Sequence, residues 1–180
     1  MEFEFEGEYY RFVFNLDTDM IEKARNMGRC NKSCLVMKSV EQLKEIGLTE
    51  HLNFITRFFT EEEKINFLLA LVQSIPYEIG KWQSALTTIH RKKADCKGKS
   101  ILLTSLLISL GISPDNIVFL NYSKHIALGV APSDGFKPEG PYYDYNGKQY
   151  FPLDATYEGS ENKWGYLVKE YDGARIEKLR

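Results

Sequence analysis

The chain has 180 residues, room for one domain or two very small ones. Its 43% hydrophobic and 27% charged fractions are ordinary for a globular protein, so no staple is needed to hold a core. With 23 basic against 25 acidic residues, the formal charge of −2 excludes the basic footprint of a nucleic-acid or anionic-membrane binder.

No stretch reaches the roughly 18 uninterrupted apolar residues of a membrane helix. The acidic, alternating start Met1-Glu2-Phe3-Glu4-Phe5-Glu6 is unlike a signal peptide, so the cytosol is the expected compartment. Three cysteines, an odd count, argue against a disulfide framework and fit a reducing environment. Cys30 and Cys34 would be the nearest pair if any bridged. Cys-x-x-x-Cys without a second matched pair is no zinc signature, and neither metal nor other cofactor is expected.

In chain order, residues 2–16 alternate as a strand does, with a bend or bulge expected at Gly7. Asp17 caps a short helix ending near Gly28, and residues 29–38 show no clear period. Ser39 with Gln42 reads as a capping box for a helix ending at Gly47, and a third helical segment runs through His51–Ile55. Thr60 with Glu63 forms a second box, opening a helix from Glu61 to Ser74 that Pro76 ends. A short helix or turn follows over Trp82–Ile89.

Asp95 caps the most apolar helix of the chain, which Gly111 stops, so that helix should be central and buried. The period then changes to that of strands over Asn116–Asn121 and His125–Ala131, followed by a Pro/Gly loop. Asn146-Gly147 joins Tyr142–Tyr145 to Lys148–Leu153 as a hairpin, because that dipeptide supplies the positive φ angles of a type I′ turn. The tail from Trp164 gives no clear signal.

Three residues in this order carry chemistry. Cys96 follows the cap Asp95, in the first turn of the buried helix, where free N–H groups and the helix dipole favour a thiolate. His125 starts a strand, and Asp154 ends the hairpin, where a carboxylate either makes a turn or orients an imidazole. Taken singly, each fits a structural role: a small buried hydrophobe, a core histidine, a turn residue. Jointly they suggest more, since His125 follows Cys96 by 29 residues and Asp154 follows His125 by another 29.

Ala94-Asp95-Cys96-Lys97-Gly98-Lys99-Ser100, running into the leucine-rich helix, resembles the Cys-bearing helix of transglutaminase-like domains. His125-Ile126-Ala127-Leu128-Gly129-Val130 resembles their His strand, and Tyr150-Phe151-Pro152-Leu153-Asp154-Ala155-Thr156 the strand ending in Leu-Asp-x-Thr. Val72-Gln73-Ser74-Ile75-Pro76-Tyr77 is similar to the helix-to-tyrosine segment that precedes the site. The resemblance spans roughly residues 63 to 157 and is nearest to stand-alone microbial, especially archaeal, transglutaminase-like cysteine peptidases. Ala94 stands where many relatives have Gly, and Lys97-Gly98 where they have acidic residues.

The resemblance implies an α+β, papain-like fold: a buried Cys helix on an antiparallel sheet, with an N-terminal strand-plus-helices extension. The whole chain, 1–180, would be one such domain, with the extension over 1–60, the catalytic core over 61–157 and a tail over 158–180. Cys96 would be the nucleophile, His125 the general base and acid, and Asp154 its orienting partner. The Cys96 N–H is one oxyanion donor; Trp82, Gln83 or Gln73 would supply another.

The implied reaction is thiol-dependent acyl transfer on a peptide or protein substrate, with hydrolysis by a Cys-His-Asp triad preferred. Transglutaminase crosslinking and a non-catalytic interaction module are the alternatives. No nucleic-acid or membrane partner is expected, and the oligomeric state is left open.

Overall fold

Order along the chain follows local signals, and the order in space follows burial of the apolar helix. The computed structural model describes residues 1–14, 16–27, 30–133, 135–156, 163–167 and 173–179. The described elements are β1 (Glu2–Phe5), β2 (Glu8–Arg11), α1 (Thr18–Arg25), α2 (Lys32–Glu45), α3 (Leu48–Ile55), α4 (Glu61–Gln73), α5 (Ala85–Arg91) and α6 (Cys96–Ser109). Strands β3 (Ile117–Asn121), β4 (Ile126–Val130), β5 (Tyr143–Tyr145), β6 (Lys148–Leu153) and β7 (Arg175–Lys178) follow. No described helix is long and apolar enough to cross a membrane.

The five C-terminal strands form one antiparallel sheet in the order β5-β6-β4-β3-β7. Helix α6 packs on β4 from one side and on α2, α4 and α5 from the other. Its residues Ile101, Leu102, Leu103, Leu106 and Leu107 are fully buried, which is why a helix apolar on most sides sits at the centre. The hairpin at Asn146-Gly147 forms as expected, both residues having positive φ.

Gly7 does more than bend a strand. Glu6 and Gly7 both take positive φ, and the chain reverses there into the β1–β2 hairpin. That hairpin is apart from the main sheet and packs on α4, where Phe67 is ringed by Phe3, Phe5, Tyr10 and Phe59 at centroid distances of 5.0 to 5.7 Å. The N-terminal aromatics thus anchor the helix that leads towards the site.

Two further expectations are corrected. Ser39 is no helix cap: α2 starts earlier, with Asn31 as N-cap, and Ser39 lies fully buried within it. Its hydroxyl accepts the Ala85 N–H at 3.0 Å, so it satisfies the start of α5 instead of its own helix. Helix α1 stops at Arg25, and the expected stop, Gly28, lies outside the described residues.

Cys30 and Cys34 are joined by a disulfide, against the expectation of a chain without bridges. The turn into α2 brings their Cα atoms to 5.6 Å, a span a bridge accommodates. An odd count then leaves Cys96 as the free cysteine.

The Thr60–Glu63 capping box is present in both directions, with Glu63 N–H to the Thr60 hydroxyl at 3.2 Å and Thr60 N–H to the Glu63 carboxylate at 2.6 Å. Its bonds hold the Glu63 carboxyl below the usual carboxylate range. Thr60→Ala is expected to cost about 1 kcal/mol and to lower the melting temperature by about 2–4 °C, as read by thermal denaturation. An unchanged melting temperature would show that the box contributes nothing.

Candidate active site

The N-terminus of α6 is built around Asp95. One carboxylate oxygen accepts the N–H groups of Lys97 and Gly98 at 3.0 and 3.1 Å, as an N-cap does. The other accepts the Gly80 N–H at 3.2 Å and pairs with the Lys97 ammonium at 3.1 Å. Lys97 in turn donates to the Gly80 carbonyl at 3.0 Å. The cap therefore also clips the loop between α4 and α5 to the start of α6.

Gly98 has a packing reason to be glycine. A Cβ there would meet Ala94 Cβ and Gln83 Nε2, each at 2.9 Å. The chain before α6 lies against its first turn only because that position is bare.

Cys96 is the first residue of α6 and is 5% exposed. The polar groups of Lys97 and Gly98 turn to the Asp95 cap, and the thiol is covered. His125 lies in the tight connection between β3 and β4, one residue before β4 begins, with Tyr122 N–H donating to its carbonyl at 2.9 Å. Asp154 directly follows β6, whose last residue Leu153 pairs with Leu128 of β4. The antiparallel register of β4 and β6 is thus what brings His125 and Asp154 to the same end of the sheet.

His125 Nε2 is 2.9 Å from Asp154 Oδ2, and the Cys96 side chain lies near enough to act on the charge of the imidazole. Tyr122 stacks on the ring, at 6.2 Å between centroids and 18° between planes. Thr156 holds the second carboxylate oxygen, its N–H and hydroxyl donating to Asp154 Oδ1 at 3.1 and 2.7 Å. Asp154 is fully buried and His125 is 8% exposed.

Burial disfavours charge on His125, but the bond to Asp154 and the charges of Asp154 and Cys96 outweigh it and push its pKa up to about 9. Burial likewise opposes charge on Asp154, yet His125 and Thr156 hold its carboxyl below the usual carboxylate range. His125 favours the folded state fully below the ordinary histidine range and loses that effect as pH rises through about 9. Asp154 contributes above the ordinary carboxylate range and loses its effect as pH falls through its lowered value.

The oxyanion candidates have distinct surroundings. Gln73, the last residue of α4, donates from Nε2 to the Asp154 carbonyl at 3.0 Å. Gln83 donates from Nε2 to Thr88 Oγ1 at 3.0 Å and to the Lys93 carbonyl at 3.3 Å, and accepts from Arg91 at 3.0 Å. Trp82 lies edge-on to Phe119 at 6.4 Å, with the Lys32 ammonium 5.0 Å from its ring centre. Cys96 N–H lies outside the pair of N–H groups that Asp95 caps.

Two contributors went unnoticed in the sequence as separate players. Tyr122 gave no signal, since only the tight β3–β4 connection brings it over the imidazole. Lys99 carried one: a lysine one turn after Cys96, directly ahead of the most apolar stretch of the chain. Among the described residues, no group of three His, Cys, Asp or Glu side chains could hold a metal ion.

No family model matches the chain, and no curated protein matches it. Two solved structures of LapG from Legionella pneumophila are similar to it. One, 13% identical, has a TM-score of 0.50 and covers 80% of this chain and 76% of that chain. The other, from EGTA-treated protein, is 12% identical with a TM-score of 0.51, covering 87% of this chain and 78% of that chain. That likeness shows the fold, which is α+β and transglutaminase-like.

Proposed function

We propose that the chain is a thiol-dependent acyl-transfer enzyme that hydrolyses an amide or peptide bond through Cys96, His125 and Asp154. The observation that carries the reading is the imidazole of His125, bonded to a buried carboxylate and close to the side chain of the free cysteine. A scaffold needs none of the three in those places. The transglutaminase-like fold and the resemblance around all three residues support it.

In this reading the Cys96 sulfur, as thiolate, attacks the carbonyl carbon and forms the C–S bond. The carbonyl oxygen takes the negative charge, facing the Cys96 N–H at the positive end of α6. His125, as imidazolium, gives its proton to the leaving nitrogen as the C–N bond breaks, leaving a thioester. Neutral His125 then takes a proton from water, whose oxygen displaces the sulfur to give a carboxylic acid. Asp154 orients the ring throughout and stabilises its charged form. We assign Gln73 to holding Asp154 and Gln83 to packing the start of α6, leaving the Cys96 N–H as the principal oxyanion donor.

The test is trapping with peptide-derived electrophiles of varied side chains, read by mass spectrometry of the intact and digested protein. One adduct per chain, on Cys96, is expected, with its rate depending on the peptide portion. A Cys96 that reacts no faster than a simple exposed thiol, whatever the peptide, would point to a binding module of the same fold.

A further inference from the structure

Lys99 lies one turn beyond Cys96 on α6 and is fully buried. Burying an ammonium is costly unless its donors are used, so a lysine in the core has to have work there. Its Nζ donates to the main-chain carbonyl of Gln73 at 3.3 Å. Gln73 ends α4, and the last carbonyls of a helix have no partner within it. A cation suits that negative helix end.

The same Gln73 donates from its side chain to the main-chain carbonyl of Asp154 at 3.0 Å, and is itself 7% exposed. A continuous buried path therefore runs from the helix that bears Cys96, through the end of α4, to the residue that bonds His125. The Cys and Asp come from elements that share no covalent neighbour, and this path fixes one against the other. Each link is a hydrogen bond with defined direction, the first from Lys99 Nζ and the second from Gln73 Nε2.

We propose that Lys99 is a positioning residue, acting through Gln73 to hold Asp154 where its carboxylate meets His125. The role rests on the catalytic reading above, but the contact it maintains can be measured without any substrate.

The readout is the titration midpoint of His125 by NMR, its signal assigned by comparison with a His125→Gln variant. His125 is faced by Asp154 from the end of β6, by Cys96 from α6 and by the Tyr122 ring. Tyr77 also lies near, but burial and the charges of Cys96, Asp95 and Asp154 keep its phenol above the usual tyrosine range. It therefore stays neutral over the interval read.

Lys99→Met keeps an unbranched side chain of similar length and removes the charge. We expect it to lower the His125 midpoint by about one pH unit, and turnover of a trapped peptide class by about tenfold with KM little changed. Gln73→Met, which breaks only the second link, should move the midpoint in the same direction. In an Asp154→Asn background, Lys99→Met should add no further shift, because the path then ends at a group without charge.

A folded Lys99→Met or Gln73→Met protein with a lower melting temperature and an unmoved midpoint would show that the lysine merely caps α4, and would overturn the proposal. A further shift in the Asp154→Asn background would overturn it too. If Lys99→Met fails to fold, Gln73→Met decides the matter by the same measure. A moved midpoint in a protein that never acylates would instead leave the positioning role standing and count against the enzyme reading.

Discussion

His125→Ala should lower the rate of Cys96 acylation by amide or peptide probes by about 10³-fold or more at neutral pH. The imidazole has two tasks in the proposed cycle, and alanine can do neither. It lies beside the sulfur and balances its charge, and it carries the proton that the leaving nitrogen needs. Asp154, its carboxyl held below the usual carboxylate range, has no proton to give at neutral pH, and Tyr77 holds its own proton tightly. The ring also fills space between Tyr122 and the end of β6, so a His125→Gln protein should be measured alongside. Both are to be checked for an intact melting transition. Acylation at the parent rate in either folded variant means that another group is the acid and base.

Asp154→Asn should act differently, moving the pH dependence as well as the rate. In the parent, the carboxylate and the sulfur hold the His125 proton up to about pH 9, so turnover of an amide should fall as pH rises through that value. Asparagine keeps the shape but withdraws the charge, so the midpoint should drop towards the ordinary histidine value of roughly 6.5. The basic limb then moves to lower pH. At pH 7.5 only about a tenth of the imidazole would remain protonated. Loss of the fixed ring orientation multiplies that deficit, for a combined fall of about 10²-fold.

The same substitution removes the acceptor for both Thr156 bonds in its charged form, so some loss of stability accompanies it. A pH–rate profile separates the effects, since lost stability alone lowers the plateau without moving its edge. A basic limb still near pH 9 with Asn at 154 would remove Asp154 from the mechanism.

Much of the local structure was readable because its causes are short-range. Asp17, Thr60 and Asp95 each accept an N–H two or three residues ahead, and each starts a helix as its sequence context implies. Asn146-Gly147 turns the chain for a reason contained in two residues. Where a long-range partner competed, the reading failed: Ser39 matched a cap by spacing, but its hydroxyl serves α5, 46 residues on. The tail showed the same limit. Strand β7 exists as an edge strand because β3 offers it a partner, with Leu120 opposite Ile176.

From the residues alone came the helix that must be buried, the cysteine at its start, and the order Cys96, His125, Asp154. Those follow from residue chemistry and periodicity, which are properties of the chain itself. Only the folded molecule decided which atoms meet: the register of β4 and β6 that sets His125 beside Asp154, the disulfide that leaves one cysteine free, and the tie from Lys99 through Gln73. Contacts between residues far apart in the chain depend on how whole elements pack to bury apolar surface, and no local pattern encodes that geometry.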